Sequence, residues 1–238
     1  MRADAPRTLV IACGALAREL LAIVSLNDID DLTIECLPAA LHNRPSEIPD
    51  AVRARIRRAR TAADRRSDDP VPADLDVADL VDADVRVTDT ARSADSSPYE
   101  TIFVAYADCG TGGLLRRVCD EEGVEMLDGA HCYQFFATAP RFAEIQDAEI
   151  GSFYLTDFLV RHFDRMVWNG LGLDRHPELL PMYFGNYTRL VYLAQTDDPQ
   201  LLAAAEAAAA KLGLDMVVER TGYGELEPAM VHVSGARR

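Results

Sequence analysis

Apolar residues fall along this chain in two rhythms, short unbroken runs and stretches spaced three or four apart, and they alternate with each other. The run from Thr8 to Cys13 is apolar and partly β-branched, and after Gly14 the spacing becomes helical through Leu16, Leu20, Leu21 and Val24, which predicts strand, turn and helix. A second strand is expected at Leu32–Leu37, closed by Pro38, and an exposed arginine-rich helix at Asp50–Ala63. The strongest buried-strand signal is Thr101–Ala107, which runs into Asp108-Cys109-Gly110-Thr111-Gly112-Gly113 and then a helix from Leu114 to Glu122. Val124–Leu127 reads as another strand, followed by His131-Cys132 and a helix carrying Phe135 and Phe136. Helical spacing is read over Thr156–Leu171, and the chain closes with strand Arg189–Ala194, helix Pro199–Leu212 and strand Asp215–Arg220.

Parallel neighbours need crossover connections, so this alternation predicts an α/β fold: a Rossmann-like parallel sheet with helices on both faces, plus a C-terminal strand-helix-strand unit. The expected organisation is one domain over residues 1–238, interrupted at 64–98 by an acidic insertion, solvated and in part disordered, where Asp, Ser and Pro dominate.

Composition narrows the partners. A formal net charge of −15 repels a phosphate backbone and excludes nucleic acid. Almost every basic residue is arginine, Lys211 being the only lysine, and the many aspartates suit a halophilic, high-salt habitat. No apolar stretch is long enough for a membrane helix and no charged leader precedes an apolar run, so a cytoplasmic protein with reduced thiols is expected.

In an open parallel sheet the ligand crevice lies beyond the carboxyl ends of the strands. Cys13 ends the first strand, His42 follows the second, Cys109 ends the third, and His131 and Cys132 follow the fourth. Soft ligands delivered repeatedly to one edge point to a zinc site with Cys13, Cys109 and Cys132 as metal ligands and His42 and His131 as fourth ligand or acid–base groups. The same thiols suit an iron–sulfur cluster, and no C-x-x-C pair decides between the two. Without metal, a cysteine at a helix amino terminus with a nearby histidine suits a hydrolase or transferase. Gly110, Thr111 and Gly112 form a turn able to cradle a phosphate or carboxylate, though without a P-loop ending. Free cysteines are often simply buried, which is the reading for Cys36 inside a strand and Cys119 inside a helix. Glu149, Asp157 and Asp174 read as solvated carboxylates, and His162 as structural.

A set of strings then becomes distinctive. Ile11-Ala12-Cys13-Gly14-Ala15-Leu16, Leu41-His42-Asn43, Ala105 through Gly113, His131-Cys132-Tyr133, Phe153 through Phe158, Tyr183-Phe184-Gly185-Asn186-Tyr187 and Thr221-Gly222-Tyr223-Gly224 together resemble the prokaryotic domain-of-unknown-function family 1638. Two departures stand out: Gln134 replaces an expected acid after His-Cys-Tyr, and the 64–98 insertion is longer than usual. The resemblance implies company with corrinoid-dependent methylamine methyltransferases. The combined expectation is a zinc-dependent enzyme acting on a small molecule in methylamine or one-carbon metabolism. The alternative is a non-enzymatic iron–sulfur or metal-binding accessory of a corrinoid protein or methyltransferase.

Overall fold

The computed structural model describes residues 8–30, 32–61, 85–89 by their main chain alone, and 99–235. Most of the acidic insertion expected at 64–98 lies outside them. The chain divides into two compact units, residues 1–132 with 226–238 and residues 133–225, each built around a sheet of its own.

The first unit begins with β1 (Thr8–Cys13), a tight turn over Gly14–Leu16, and α1 (Ala17–Leu26), which buries Leu20 and Ile23. Next come β2 (Leu32–Leu37), α2 (Ile48–Arg60), β3 (Val85–Asp89), β4 (Thr101–Ala105), α3 (Leu114–Glu122) and β5 (Glu125–Met126). These strands lie in the order β3-β2-β1-β4-β5. All pairs are parallel except β2 with β3. Every residue of β1 and β2 is buried, the pattern of central strands whose two faces are both covered. Because β1 pairs with β2 on one side and β4 on the other, the strand order reverses there, and this is the place where such a sheet leaves a crevice at its carboxyl edge.

Two sequence expectations change here. Part of the stretch read as a solvated insertion is β3, an antiparallel edge strand whose Val-Arg-Val-Thr pattern has the β-branched alternation that pairing favours. The arginine-rich helix is not simply exposed. Its Val52, Arg55 and Ile56 are buried, and its outer arginines bind α3: Arg53 reaches Glu121 at 2.5 Å, while Arg57 and Arg60 reach the Glu122 carboxylate at 2.8 and 2.9 Å.

The second unit holds α4 (Gln134–Ala137), α5 (Ala139–Ala148), β6 (Ser152–Thr156), α6 (Asp157–Arg161), α7 (Leu180–Phe184), β7 (Arg189–Ala194), α8 (Pro199–Leu212) and β8 (Asp215–Arg220). Its three strands are parallel in sequence order, with β7 central. The expected strand-helix-strand unit is therefore joined by a further strand, β6. A helix was expected over Thr156–Leu171; α6 is short and gives way to a π turn at Asp164–Trp168. Tyr154, Val191 and Leu193 pack with Ala137 and Ile145, and Tyr133 stacks on Tyr154 with ring centroids 5.3 Å apart. Gly224 sits at φ +49°, and a Cβ there would fall 2.2 Å from the carbonyl oxygens of Phe135 and Phe136, so no side chain fits. The last helix, α9 (Leu226–Val233), belongs to the first unit, where it packs on α1. Among the described residues no helix is long and apolar enough to cross a membrane.

Candidate functional site

The candidate site is at the carboxyl edge of the first unit's sheet, where β1 and β4 part. Cys13 is the last residue of β1 and is buried. After β4 the chain continues through buried Tyr106 and Ala107 into a tight loop at Asp108. That loop is tied to the segment after β5 by two main-chain hydrogen bonds, from Asp108 N–H to Gly129 at 3.0 Å and from Cys109 N–H to Ala130 at 2.8 Å. The pairing brings together two residues far apart in sequence, and the Sγ atoms of Cys109 and Cys132 lie 2.9 Å apart.

This distance exceeds a disulfide bond of roughly 2.05 Å and is less than that between two thiolates on one tetrahedral zinc, roughly 3.8 Å from zinc–sulfur lengths of about 2.3 Å. The two sulfurs are in direct contact, and either thiol can donate to the other. The hydrogen bond from Cys132 holds the Cys109 thiol below its ordinary pKa, and the same bond, with burial, pushes Cys132 well above. The contact thus favours loss of one proton from the pair and opposes loss of the second. Cys109 also adopts φ 48°, a left-handed conformation that a cysteine rarely takes, and its main-chain bond to Ala130 helps to hold it there.

Cys13 joins the cluster electrostatically. Burial pushes its thiol up to about 12, and the neighbouring Cys109 adds to the rise. Tyr106 was not singled out by sequence reasoning, yet it is 1% exposed and its hydroxyl is directed at the Cys13 sulfur, whose ionised form it favours. Burial raises its pKa most, followed by the charges of Cys13, Cys132 and Cys36, so the phenol sits among these sulfurs. The available sequence signal was its position, directly after the most apolar strand and before the glycine-rich turn.

The histidines lie at the rim. Crowding by protein and then the charge of His131 hold exposed His42 below its ordinary pKa. Burial also lowers that of half-buried His131, with Asp108 opposing. Both imidazoles are thereby kept neutral near pH 7. Cys36 and Cys119 are buried in the core, as their positions in a strand and a helix indicated.

The loop over Gly110, Thr111 and Gly112 has a different use from the phosphate cradle read in the sequence. Asp108 fills it: its carboxylate accepts from the Gly112 N–H at 3.1 Å, the Gly113 N–H at 2.6 Å and the Thr111 hydroxyl at 2.8 Å. An anion is already in place, supplied by the chain, and it stiffens the segment that presents Cys109. Burial is the largest influence on Asp108 and acts to raise its pKa, but the loop donors together outweigh it and hold the carboxyl below its ordinary value. A depressed pKa stabilises the fold above the unfolded value of about 3.9, and that contribution disappears as pH falls through the folded value. Asp108→Ala is accordingly expected to cost about 1–2 kcal/mol at pH 7, near the low end for losing charged-acceptor bonds in a part-exposed loop. In urea titrations the gap from the parent protein should close below about pH 4; a gap independent of pH would show that the carboxylate is not what the loop needs.

Among the described residues, no group of three or more His, Cys, Asp or Glu side chains is arranged to hold a metal ion as it stands. Three thiols nevertheless lie in one electrostatic cluster, two of them in direct contact, and thiols are donors that a soft divalent metal takes. The model of a family described as "Protein of unknown function (DUF1638)" matches residues 83–230, more than half of the sequence. The chain belongs to that family. The matched stretch includes Cys109, His131 and Cys132, while Cys13 and His42 precede it. No curated protein and no solved structure matches the chain.

Proposed function

We propose that the first unit is a thiolate metal centre, with zinc the metal its donors suit best, and that this DUF1638 protein uses it on a small molecule. The observation that carries this reading is the contact of the Cys109 and Cys132 sulfurs, 2.9 Å apart, with Cys13 at the end of β1 near enough to feel their charge. Cys13, Cys109 and Cys132 would hold the ion. When bound, zinc supplies a Lewis acid and lowers the pKa of a coordinated thiol or water.

The chain's own groups supply the rest. Tyr106 offers a hydroxyl donor to the Cys13 sulfur, and the neutral imidazoles of His42 and His131 are proton acceptors nearby. Asp108 holds the loop that aims Cys109. A groove of about 400 Å³ opens next to the segment bearing His42, lined by Leu37, Pro38 and Leu41 and by Arg44, Glu47, Arg55 and Arg58, a size that suits a small molecule. A setting in methylamine or one-carbon metabolism, with a corrinoid protein or methyltransferase as partner, rests on the family resemblance.

One observation favours a second reading. Cys109, held below its ordinary pKa by Cys132, is a nucleophile without any metal, as a cysteine transferase or hydrolase requires. Elemental analysis of protein purified without oxygen separates the two. About one zinc per chain is expected, falling to background in Cys13→Ser, Cys109→Ser and Cys132→Ser and unchanged in Cys36→Ser. Stoichiometric iron with visible colour moves the assignment to an iron–sulfur accessory protein. Protein that holds neither metal after both are supplied, with a thiol that is alkylated rapidly at neutral pH, leaves the metal-free reading in its place.

A further inference from the structure

We infer that Cys109 and Cys132 are a reversible dithiol–disulfide site, oxidised by a low-molecular-weight disulfide, and that its oxidation removes two of the three thiolates from the proposed metal centre. The second half of this statement rests on the metal reading; the first does not.

Geometry carries the first half. The sulfurs are 2.9 Å apart, against roughly 2.05 Å in a disulfide, so closing the bond needs less than about 1 Å of movement. The main-chain segments that carry the two cysteines are already paired, because Asp108 and Cys109 are bonded to Gly129 and Ala130. Access selects the same pair. Cys109 and Cys132 are part-exposed, whereas Cys13, Cys36 and Cys119 are buried, so a dissolved oxidant reaches these two first. The Asp108-filled loop, with Cys109 in its left-handed conformation, keeps one sulfur in place while the other approaches.

Atoms and electrons balance in two steps. The Cys109 sulfur attacks one sulfur of the oxidant, forming a mixed disulfide and expelling the first small thiol. Cys132 then attacks the Cys109 sulfur, breaking the mixed bond and expelling the second. The protein loses two electrons and two protons, and the oxidant is reduced to two thiol molecules. A thiol reductant reverses both steps. In the closed state neither sulfur is a thiolate, and Cys13 alone cannot retain zinc.

The test uses glutathione disulfide on the whole chain, in metal-free and zinc-loaded form, followed by alkylation, digestion and mass spectrometry. In metal-free protein a peptide pair linked through Cys109 and Cys132 is expected, cleaved by dithiothreitol, with Cys13, Cys36 and Cys119 alkylated only after unfolding. Zinc should slow linkage by about tenfold or more, because a ligated thiolate is a poor nucleophile. Cys132→Ser, which keeps the fold's volume, should stop at a glutathione adduct on Cys109. A linkage of Cys109 to any cysteine other than Cys132, or no linkage in the metal-free parent, overturns the inference even if zinc binds. Linkage in a protein that never takes up zinc preserves the dithiol site and removes the metal reading, so the two failures are distinguishable.

Discussion

Asp157→Ala is expected to destabilise the second unit by about 3–5 kcal/mol, with most of the loss due to donors that the carboxylate now satisfies. Asp157 follows β6 directly and is 1% exposed. Its Oδ1 accepts from the Tyr192 hydroxyl at 2.7 Å and the Gln195 N–H at 3.1 Å, and its Oδ2 accepts from the Thr196 hydroxyl at 2.6 Å. Its own N–H donates to Gln195 Oε1 at 2.8 Å. One carboxylate thus fastens the carboxyl end of β7 to the start of α6. Alanine would leave several donors buried without an acceptor, each costing about 1–3 kcal/mol, although some will recover a bond to water. Burial and hydrogen bonding to Asp157 push the Tyr192 phenol well above its ordinary pKa, as expected of a donor committed to a carboxylate. Trp168, the only tryptophan, lies in this unit, so its fluorescence during urea unfolding reports the loss directly. Asp157→Asn, which retains an acceptor oxygen, should lose less. A loss under about 1 kcal/mol in the alanine variant would show that the network is replaceable by solvent.

The second large effect is expected in the first unit, from Glu35→Ala, at about 3–5 kcal/mol. Glu35 lies in β2, and its Oε2 is 2.6 Å from Arg55 Nη1, with both side chains at most 8% exposed; Arg58 reaches the same oxygen at 3.4 Å. A buried pair of this kind adds little beyond what apolar residues would supply, because desolvation of both ions offsets their attraction, but removing one partner strands the other. The double variant Glu35→Leu with Arg55→Met should therefore recover most of the stability lost in the single one. Amide hydrogen exchange in β1 and β2 provides the measurement, since these strands open only when the unit unfolds. If the double variant is as unstable as the single, the cost comes from packing at this position rather than from a stranded charge. Arg55 also lines the groove near His42.

The elements legible in the sequence were those whose hydrophobic period is set by their own burial. β1, β2 and β7 and helices α3 and α8 lie where the apolar runs, glycine stops and helical spacing put them, because each strand is buried along nearly all its length and each helix carries a clear apolar stripe. β6 escaped because its five residues run straight into α6, where Thr156 caps the helix by accepting from the Leu159 N–H, so two periods overlap without a turn signal between them. β3 was hidden by its acidic surroundings. α9 is a short helix whose stability comes from packing on α1, a partner some two hundred residues away in sequence.

For the site, the sequence by itself determined which residues stand at strand ends, and therefore that Cys13, Cys109, Cys132, His42 and His131 share one edge of the sheet. Strand order and residue distances are properties of pairing between distant segments, and these only the tertiary structure decided. It placed Cys132 against Cys109 through the hydrogen bonds to Gly129 and Ala130, set the Tyr106 hydroxyl against Cys13, filled the glycine turn with Asp108, and buried Asp157, which composition had marked as solvated. The physical reason is common to all four. A local pattern reports how a residue meets its own turn or strand, whereas the partner of a thiol, a phenol or a carboxylate is chosen by the packing of segments that local pattern cannot see.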